Sequence, residues 1–215
     1  MTLTHETEPP ERSGAKASAS ANTFTKLKKE NRMTRDKLNQ LLIDASENGD
    51  AGEVQQLLKL GADANASGTM ALGSASLCGH TEVVRLLLKS GADVHAWSDI
   101  ALLWASENGH TEVVKLLLEA GADVHTWNDM ALTDAVERGH AEVVGLLLEA
   151  GADIHKYDDY AIRSAAYYGR AEVVRILLAA GADAGTRDDH ALRSAIYHGH
   201  TEVVKILTDW KEANK

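Results

Sequence analysis

The apolar and polar residues of this chain follow a pattern that recurs every 30 residues. One segment of each copy places large apolar residues at i, i+1, i+4 and i+5, as at Val113, Val114, Leu117 and Leu118. This spacing puts them on one face of a helix with 3.6 residues per turn. A second segment, upstream, has a narrower apolar stripe that includes Leu102 and several alanines. The pattern therefore predicts two short helices in every copy.

Recurring glycines and aspartates mark where these helices end and begin. The tripeptide Gly-Ala-Asp occurs five times, starting at residues 61, 91, 121, 151 and 181. A glycine such as Gly109 closes the first helix, and glycine adopts the left-handed C-cap conformation at little cost. Asp99 and its equivalents Asp129, Asp159 and Asp189 precede the first helix, where aspartate is a favoured N-cap. We therefore expect these carboxylates to accept amide hydrogens of the opening helical turn.

One unit of this size is too small to bury its own apolar face, so the copies must stack on each other. The fold class predicted is all-α, a solenoid of stacked helix-turn-helix pairs. We expect an incomplete N-terminal repeat at 38–60, full repeats at 61–90, 91–120, 121–150 and 151–180, and a C-terminal capping repeat at 181–215. Residues 1–37 are expected to form a disordered, partly basic N-terminal tail, because residues 1–22 hold almost no large apolar side chains.

The order of helix, Gly-His, helix with VVKLLLEAGAD and turn resembles the ankyrin repeat, and the similarity covers roughly residues 38–210. Two features depart from the usual pattern: the period is 30 where 33 is typical, and Thr-Pro-Leu-His is absent. Both are similar to the short-repeat ankyrins of giant DNA viruses and some bacteria. The resemblance implies an ankyrin-repeat solenoid with short turns or hairpins, in which the Gly-His imidazoles brace turns between repeats. It also implies that the first helix lines a concave surface where partner proteins bind.

Charge and composition narrow the classes of function. Residues 1–37 carry eight Lys/Arg and five Asp/Glu, a net of +3, which leaves −13 for the remainder of a chain whose net charge is −10. So acidic a solenoid repels phosphate backbones, so we expect no nucleic acid partner. The single cysteine, Cys78, fits a reducing, intracellular setting, most simply the cytoplasm. No segment has the run of apolar residues that a membrane span requires.

The repeated His and Asp residues give no catalytic or metal-binding arrangement. His80, His110, His140 and His200 occupy one position of the repeat, and equivalent positions on stacked helices lie about 8–10 Å apart. Zinc ligands must all lie about 2 Å from one centre, so these imidazoles cannot converge. The repeated acids belong to turns and helix starts. We therefore predict a protein that is not an enzyme, with no cofactor and no metal.

The positions at which the copies differ are the candidate binding residues, because the scaffold does not dictate them. On the first helix, positions spaced i, i+3 and i+7 share one face. They carry Tyr, Arg and Tyr in the fourth copy and His, Arg and Tyr in the fifth, and Tyr and Arg are common in interface hot spots. The second copy is apolar at the same helix. The candidate protein-binding residues are Tyr160, Arg163, Tyr167, Tyr168, His190, Arg193, Tyr197, His198, Ile100, Leu103 and Trp104.

Each of these patterns has a second interpretation. The Tyr/Arg positions are also compatible with a merely solvated helix face, and Ile100, with Met70 and Met130, can pack beneath the short turn. Trp97, Trp127 and Tyr157 share one turn position, where they form either a stacked ladder between turns or the tips of a binding edge. The basic segment 26–35 is either a solvated helix face or a targeting signal, which would allow a nuclear location.

The function predicted is a non-enzymatic protein-protein interaction scaffold that binds a partner protein through its concave face. The partner is expected to present acidic groups, because Arg163 and Arg193 are cations on a negative solenoid. We expect the chain to be a monomer. The alternative is a virulence or counter-defence effector that sequesters a host protein, which rests on the short-repeat resemblance alone.

Overall fold

The structure is a computed structural model, and it describes residues 34–214. Most of the expected tail, residues 1–33, lies outside the described residues. Within them the chain forms twelve helices and no strand: α1 (Arg35–Glu47), α2 (Ala51–Lys59), α3 (Met70–Leu77), α4 (Thr81–Lys89), α5 (Ile100–Glu107), α6 (Thr111–Glu119), α7 (Thr126–Arg138), α8 (Ala141–Glu149), α9 (Lys156–Tyr167), α10 (Ala171–Ala179), α11 (Thr186–Tyr197) and α12 (Thr201–Ala213).

The helices form pairs that stack in chain order. Each odd-numbered helix contacts the even-numbered helix that follows it and the odd-numbered helix of the next pair, and even-numbered helices contact each other in the same way from α2 to α12. Val113, Val114 and Leu117 of α6 are buried, as the apolar spacing predicted, and one continuous core runs from Leu42 to Leu207. The all-α solenoid of stacked helix pairs is confirmed.

The first helix begins earlier than the sequence analysis expected. Helix α1 starts at Arg35, so residues 35–37, which were assigned to the tail, are helical. The hydroxyl of Thr34 caps this helix by accepting a hydrogen bond from the amide of Lys37 at 3.3 Å. The boundaries of the individual repeats remain a prediction.

The Gly-His imidazoles join successive repeats. Nε2 of His110 donates to the carbonyl oxygen of Leu77 at 2.9 Å, and the corresponding bonds in the other copies also reach back 33 residues, from His80 to Glu47, His140 to Glu107 and His200 to Tyr167. In the remaining copy Arg170 takes the place of histidine, and its Nε donates to the carbonyl oxygen of Glu137 at 2.9 Å. The bracing role expected for these imidazoles is confirmed.

The aspartates that precede the first helices are not N-caps, and that expectation was wrong. Asp99 has a left-handed backbone, and its side chain bonds to no amide of α5. Its Oδ1 instead accepts hydrogen bonds from the amide of Asp123 in the next repeat, at 2.9 Å, and from Nδ1 of His95, at 3.0 Å. Asp159 bonds Asp183 and His155 in the same way. These buried carboxylates therefore join successive repeats at the turns before the first helices, a side of the solenoid called here the turn edge.

A short left-handed segment precedes or opens each first helix. Trp97, Ser98 and Asp99 have φ values of 53°, 56° and 57°, and the residues at 67–69 also have positive φ. The equivalent residues at 127–129, 157–159 and 187–189 have positive φ as well, and they lie near the start of α7, α9 and α11, where they kink the helix. Residues other than glycine rarely adopt this backbone conformation, so each of these segments stores backbone strain.

We predict that the glycine in contact with the bracing imidazole of the next repeat is required for two separable reasons. Gly79 and Gly91 both have positive φ, 75° and 84°, but a Cβ on Gly79 would lie 2.5 Å from Nδ1 of His110, whereas a Cβ on Gly91 would meet nothing within 4 Å. Gly91→Ala should therefore cost about 1–2 kcal/mol from left-handed strain alone, and Gly79→Ala clearly more. The measurement is urea unfolding of both variants.

The double variant Gly79→Ala with His110→Ala is the control for this comparison. Removing the imidazole relieves the clash, so the two substitutions should together cost less than their sum. Equal costs for Gly79→Ala and Gly91→Ala would show that the imidazole does not press on the glycine.

Candidate protein-binding surface

The exposed side of the first helices α3, α5, α7, α9 and α11, called here the first-helix face, carries the residues that differ between copies. The helices position these residues because the intervening positions, such as Ala101, Leu102 and Ala105 of α5, are buried in the core. The face divides into an apolar part on α5, an acidic part around α7 and a cationic, aromatic part on α9 and α11.

The apolar part is largely used in packing between repeats. Ile100, Leu103 and Trp104 are half-buried, and Leu103 packs against the core. The ring of Trp104 lies over Gly73 of α3 so closely that a Cβ there would be 2.9 Å from its Cζ3. These three candidates therefore present only part of their surface, and Trp104 fits a space that only glycine leaves open.

The acidic part separates the apolar and cationic parts, and sequence reasoning did not single it out. Asp134 of α7 is half-buried, and burial together with the carboxylates of Glu107 and Glu137 raises the pKa of Asp134 above its ordinary 3.8. Arg138 pairs with Glu107. The sequence shows an acid at Asp134 where the equivalent positions of the other copies are Ser or Trp, but the proximity of the two glutamates becomes visible only once the helices are stacked.

The candidates of α9 are exposed but braced. The hydroxyl of Tyr160 donates to Oε1 of Glu137 at 2.9 Å, and burial, reinforced by this bond, raises the pKa of Tyr160 above 10.0. Arg163 is half-buried, with its guanidinium carbon 5.5 Å from the centre of the Tyr160 ring. Nη2 and Nε of Arg163 donate to the carbonyl oxygens of Tyr157 and Asp158 at 2.8 and 3.1 Å. Arg163 therefore also supports the left-handed turn.

The candidates of α11 repeat part of this arrangement. Nη2 of Arg193 donates to the carbonyl oxygen of Arg187 at 3.1 Å, which is the turn position equivalent to Tyr157. His190 is half-buried, and its Nδ1 is shielded from solvent without a hydrogen-bond partner in the described residues. Burial lowers the pKa of His190 below 6.5, and the cations of Arg163, Arg193 and Arg187 lower it further. Both effects favour the neutral form of the imidazole.

Four of the candidates form an aromatic cluster at the ends of α9 and α11. The ring of Tyr167 lies 4.9 Å from Tyr168 and 4.4 Å from His198, and His198 lies 4.9 Å from Tyr197. Tyr167 and Tyr168 are 47% and 44% exposed and Tyr197 is 85% exposed, so the cluster presents a large aromatic surface to solvent. The structure thus brings the candidates of α9 and α11 together, whereas those of α5 lie two repeats away.

Two depressions lie side by side on the first-helix face, and Tyr160 lines both. The first has a volume of about 400 Å³ and lies between α7 and α9, lined by Trp127, Asn128, Met130, Thr133, Tyr157 and Tyr160. The second has a volume of about 260 Å³ and lies between α9 and α11, lined by Tyr160, Arg163, Ser164, Tyr167, Tyr168 and His190. Sequence reasoning could not find the first depression, because its lining comes from a turn and two different helices.

The aromatic residues of the turn edge are exposed and connected to the preceding turn. Trp97, Trp127 and Tyr157 are 55%, 51% and 62% exposed. Nε1 of Trp127 donates to the carbonyl oxygen of Ser98 at 2.8 Å, and Arg187, at the same position, binds the carboxylate of Asp158 at 2.7 Å. Trp127 thus links two turns, but the rings of Trp97, Trp127 and Tyr157 do not stack on one another in the described residues, so the stacked ladder is not observed. Their role as the tips of a binding edge stays a prediction.

One exposed residue was missed by the sequence analysis. Ile196 of α11 is 59% exposed, although its counterparts Ser106, Val136 and Ala166 are fully buried. These counterparts face the following repeat, and no repeat follows α11 in the described residues. Its exposure was foreseeable from its place in the last repeat, because a position that faces the next helix pair is uncovered there.

Other kinds of site are not formed by the described part of the chain. In residues 34–214, no three His, Cys, Asp or Glu side chains come together in a way that could hold a metal ion. None of the helices described is long and apolar enough to cross a membrane. Of the basic segment 26–35, only Thr34 and Arg35 are described, and Nη2 of Arg35 lies 3.2 Å from Oδ2 of Asp63.

Comparison with known proteins identifies the family. A family model described as ankyrin repeats (3 copies) matches residues 15–98, 95–158 and 132–215. The chain therefore belongs to the ankyrin-repeat family, whose repeats generally mediate protein-protein interaction. Among solved structures, the human ASB11 ankyrin repeat domain is similar, with a TM-score of 0.69 and 28% identity over 79% of this chain and 82% of that chain. A search of curated proteins found no match.

We predict that the three cations around His190 control its protonation. Arg163→Gln removes the cation that lowers the pKa of His190 most after burial, and it should raise this pKa toward 6.5, because a neutral neighbour no longer opposes the imidazolium. The pKa is measured by NMR titration of the imidazole. Lys115→Gln makes the same change of charge on α6, the second helix of its pair and away from the first-helix face, and it should leave the titration of His190 unchanged. The same pKa in both variants would contradict the arrangement.

Proposed function

We propose that this protein is a non-enzymatic interaction scaffold that binds a partner protein through the first-helix face of α9 and α11, the concave face of the resemblance. The residues proposed to make contact are Tyr160, Arg163, Tyr167, Tyr168, His190, Arg193, Tyr197 and His198. Ile100, Leu103 and Trp104 are proposed as a secondary contact, since packing between repeats already uses part of their surface.

The observation that carries the proposal is a set of exposed aromatic residues beside cations that no carboxylate neutralises. Among the described residues, Arg163 and Arg193 bond only to turn carbonyls, whereas Arg138, Arg175 and Arg187 form ion pairs. An exposed aromatic and arginine surface of this kind is typical of interface hot spots. Because the solenoid as a whole is negative, these cations favour a partner with local acidic groups at this place.

The second candidate function is a virulence or counter-defence effector that sequesters a host protein. The molecular act, binding through the same face, is the same, and only the short repeat of 30 residues supports this biological role. An intracellular, cytoplasmic location is part of the proposal, with a nuclear location as the alternative if the segment 26–35 acts as a signal.

We predict that substitutions on this face weaken binding without unfolding the chain. Tyr167→Ala combined with Arg193→Ala should weaken binding by about 2 kcal/mol or more, the range of hot spots. The thermal midpoint should change little, because exposed substitutions usually alter stability by about 0.5 kcal/mol. The measurement is the affinity for the partner recovered by pull-down with the intact protein, together with melting followed by circular dichroism.

The matched control for this variant is Lys115→Ala combined with Lys205→Ala, which removes two exposed side chains from the outer helices α6 and α12. It should bind the partner as the parent does. Full affinity of the Tyr167/Arg193 variant, with an intact fold, would place the binding surface elsewhere.

A further inference from the structure

We propose that the two depressions that share Tyr160 form one groove that recognises an extended segment of the partner by two side chains, one large and apolar and one carrying a carboxylate. The proposal rests on the proposed function and adds the chemistry that the site selects. The depression between α7 and α9 is called the apolar slot, and the one between α9 and α11 the cationic slot.

The apolar slot has the lining of a pocket for a hydrophobic side chain. Trp127, Met130 and Tyr157 border it and are 51%, 44% and 62% exposed. Their apolar surface therefore stays in contact with water until a ligand covers it. Trp127 is held in place by its bond to Ser98, and Tyr160 by its bond to Glu137. Because these rings are already oriented, a bound side chain does not have to order them, which favours affinity.

The cationic slot has the lining of a pocket for an anion. Arg163 is fixed by two turn carbonyls, which leave its charge without a carboxylate partner in the described residues. His190 borders the same slot, with Arg193 and Arg187 close enough to act on it. A carboxylate bound beside this ring favours the protonated imidazole. A partner carboxylate therefore neutralises a charge that the folded chain leaves without a carboxylate partner in the described residues.

The spacing of the slots sets the spacing of the two side chains. They lie between successive pairs of first helices, so their centres are separated by roughly one helix spacing, about 10 Å. A segment in the extended polyproline II conformation advances about 3.1 Å per residue and has three residues per turn, so an apolar and an acidic side chain on one face of it are about three positions apart. The acidic part around Asp134 and Glu137 lies on the other side of the groove and disfavours the reverse orientation, which would place the carboxylate against α7.

The experiment selects short random peptides displayed on phage against the full chain. We expect enriched peptides to share a large apolar residue and an Asp or Glu about three positions apart. A synthetic consensus peptide should bind the full chain, and replacement of its acid by the amide should weaken binding at least about tenfold, as expected for loss of a charge-assisted hydrogen bond. The acidic peptide, and not its amide form, should raise the pKa of His190 in an NMR titration.

Variants of the protein separate charge from the support of the turn. Arg163→Gln should lose the preference for the acidic peptide over its amide, whereas Arg163→Lys should retain it, because lysine keeps the charge but cannot reproduce both carbonyl bonds. Lys115→Gln, with the same change of net charge on α6, should bind as the parent does. Circular-dichroism melting of each variant checks that the fold is intact.

Several results would overturn the proposal. These are the absence of any enriched peptide, enrichment without the apolar-acidic pair, or an acid preference that survives Arg163→Gln. Sedimentation showing that a second copy occupies the groove, or peptide binding that appears only after residues 1–33 are removed, would assign the groove to the chain itself. If the partner's affinity still depends on Tyr167 and Arg193 while the peptide pattern fails, the proposed function stands and only this inference is lost.

Discussion

The hydrogen bond from each Gly-His imidazole to a carbonyl 33 residues earlier is the constraint on which the rest of the structure depends. It joins the end of the first helix of one repeat to the start of the second helix of the following repeat, as from Leu77 at the end of α3 to His110 before α6. The bond requires a glycine at the turn, both for its positive φ and because a Cβ would strike the ring. Arg170 shows that the requirement is a donor of the right reach, since its guanidinium makes the same bond to Glu137. Together with the buried aspartates at the opposite edge, these bonds set how one repeat sits on another.

Because this scaffold is repeated so regularly, the remaining positions are free to differ, and they differ in a spatially ordered way. The first-helix face changes from apolar to acidic to cationic and aromatic within five helices. The change of charge occurs at α9, where Arg163 supports its own turn and at the same time presents an unpaired charge. Structural support and recognition therefore share side chains on this face, and a substitution such as Arg163→Ala tests both at once.

The 30-residue period made the helices and the core predictable, because both depend on residues that recur in every copy, and the resemblance to ankyrin repeats implied the Gly-His braces. The role of Asp99 was not predictable in the same way. An aspartate before a helix is equally well placed to cap that helix or to bond the next repeat, and the left-handed backbone at 97–99 decides for the second. The candidates Tyr160 to Tyr197 were named from differences between copies, but the Tyr160 bond to Glu137 and the depression beside Trp127 arise from neighbours 23 or more residues apart. Their role in binding is still a prediction.

Hydroxyl-radical footprinting of the aromatic side chains, with and without the bound partner, tests the central claim most directly, because it reports which rings the partner covers. The chain supplies its own internal comparison: Tyr160, Tyr167 and Tyr197 lie on the cationic, aromatic part, and Trp97 lies at the turn edge two repeats away, where it is 55% exposed. The account predicts strong protection of the three tyrosines and unchanged oxidation of Trp97. Protection of Trp97 with Tyr160, Tyr167 and Tyr197 oxidised as in the free protein would contradict it.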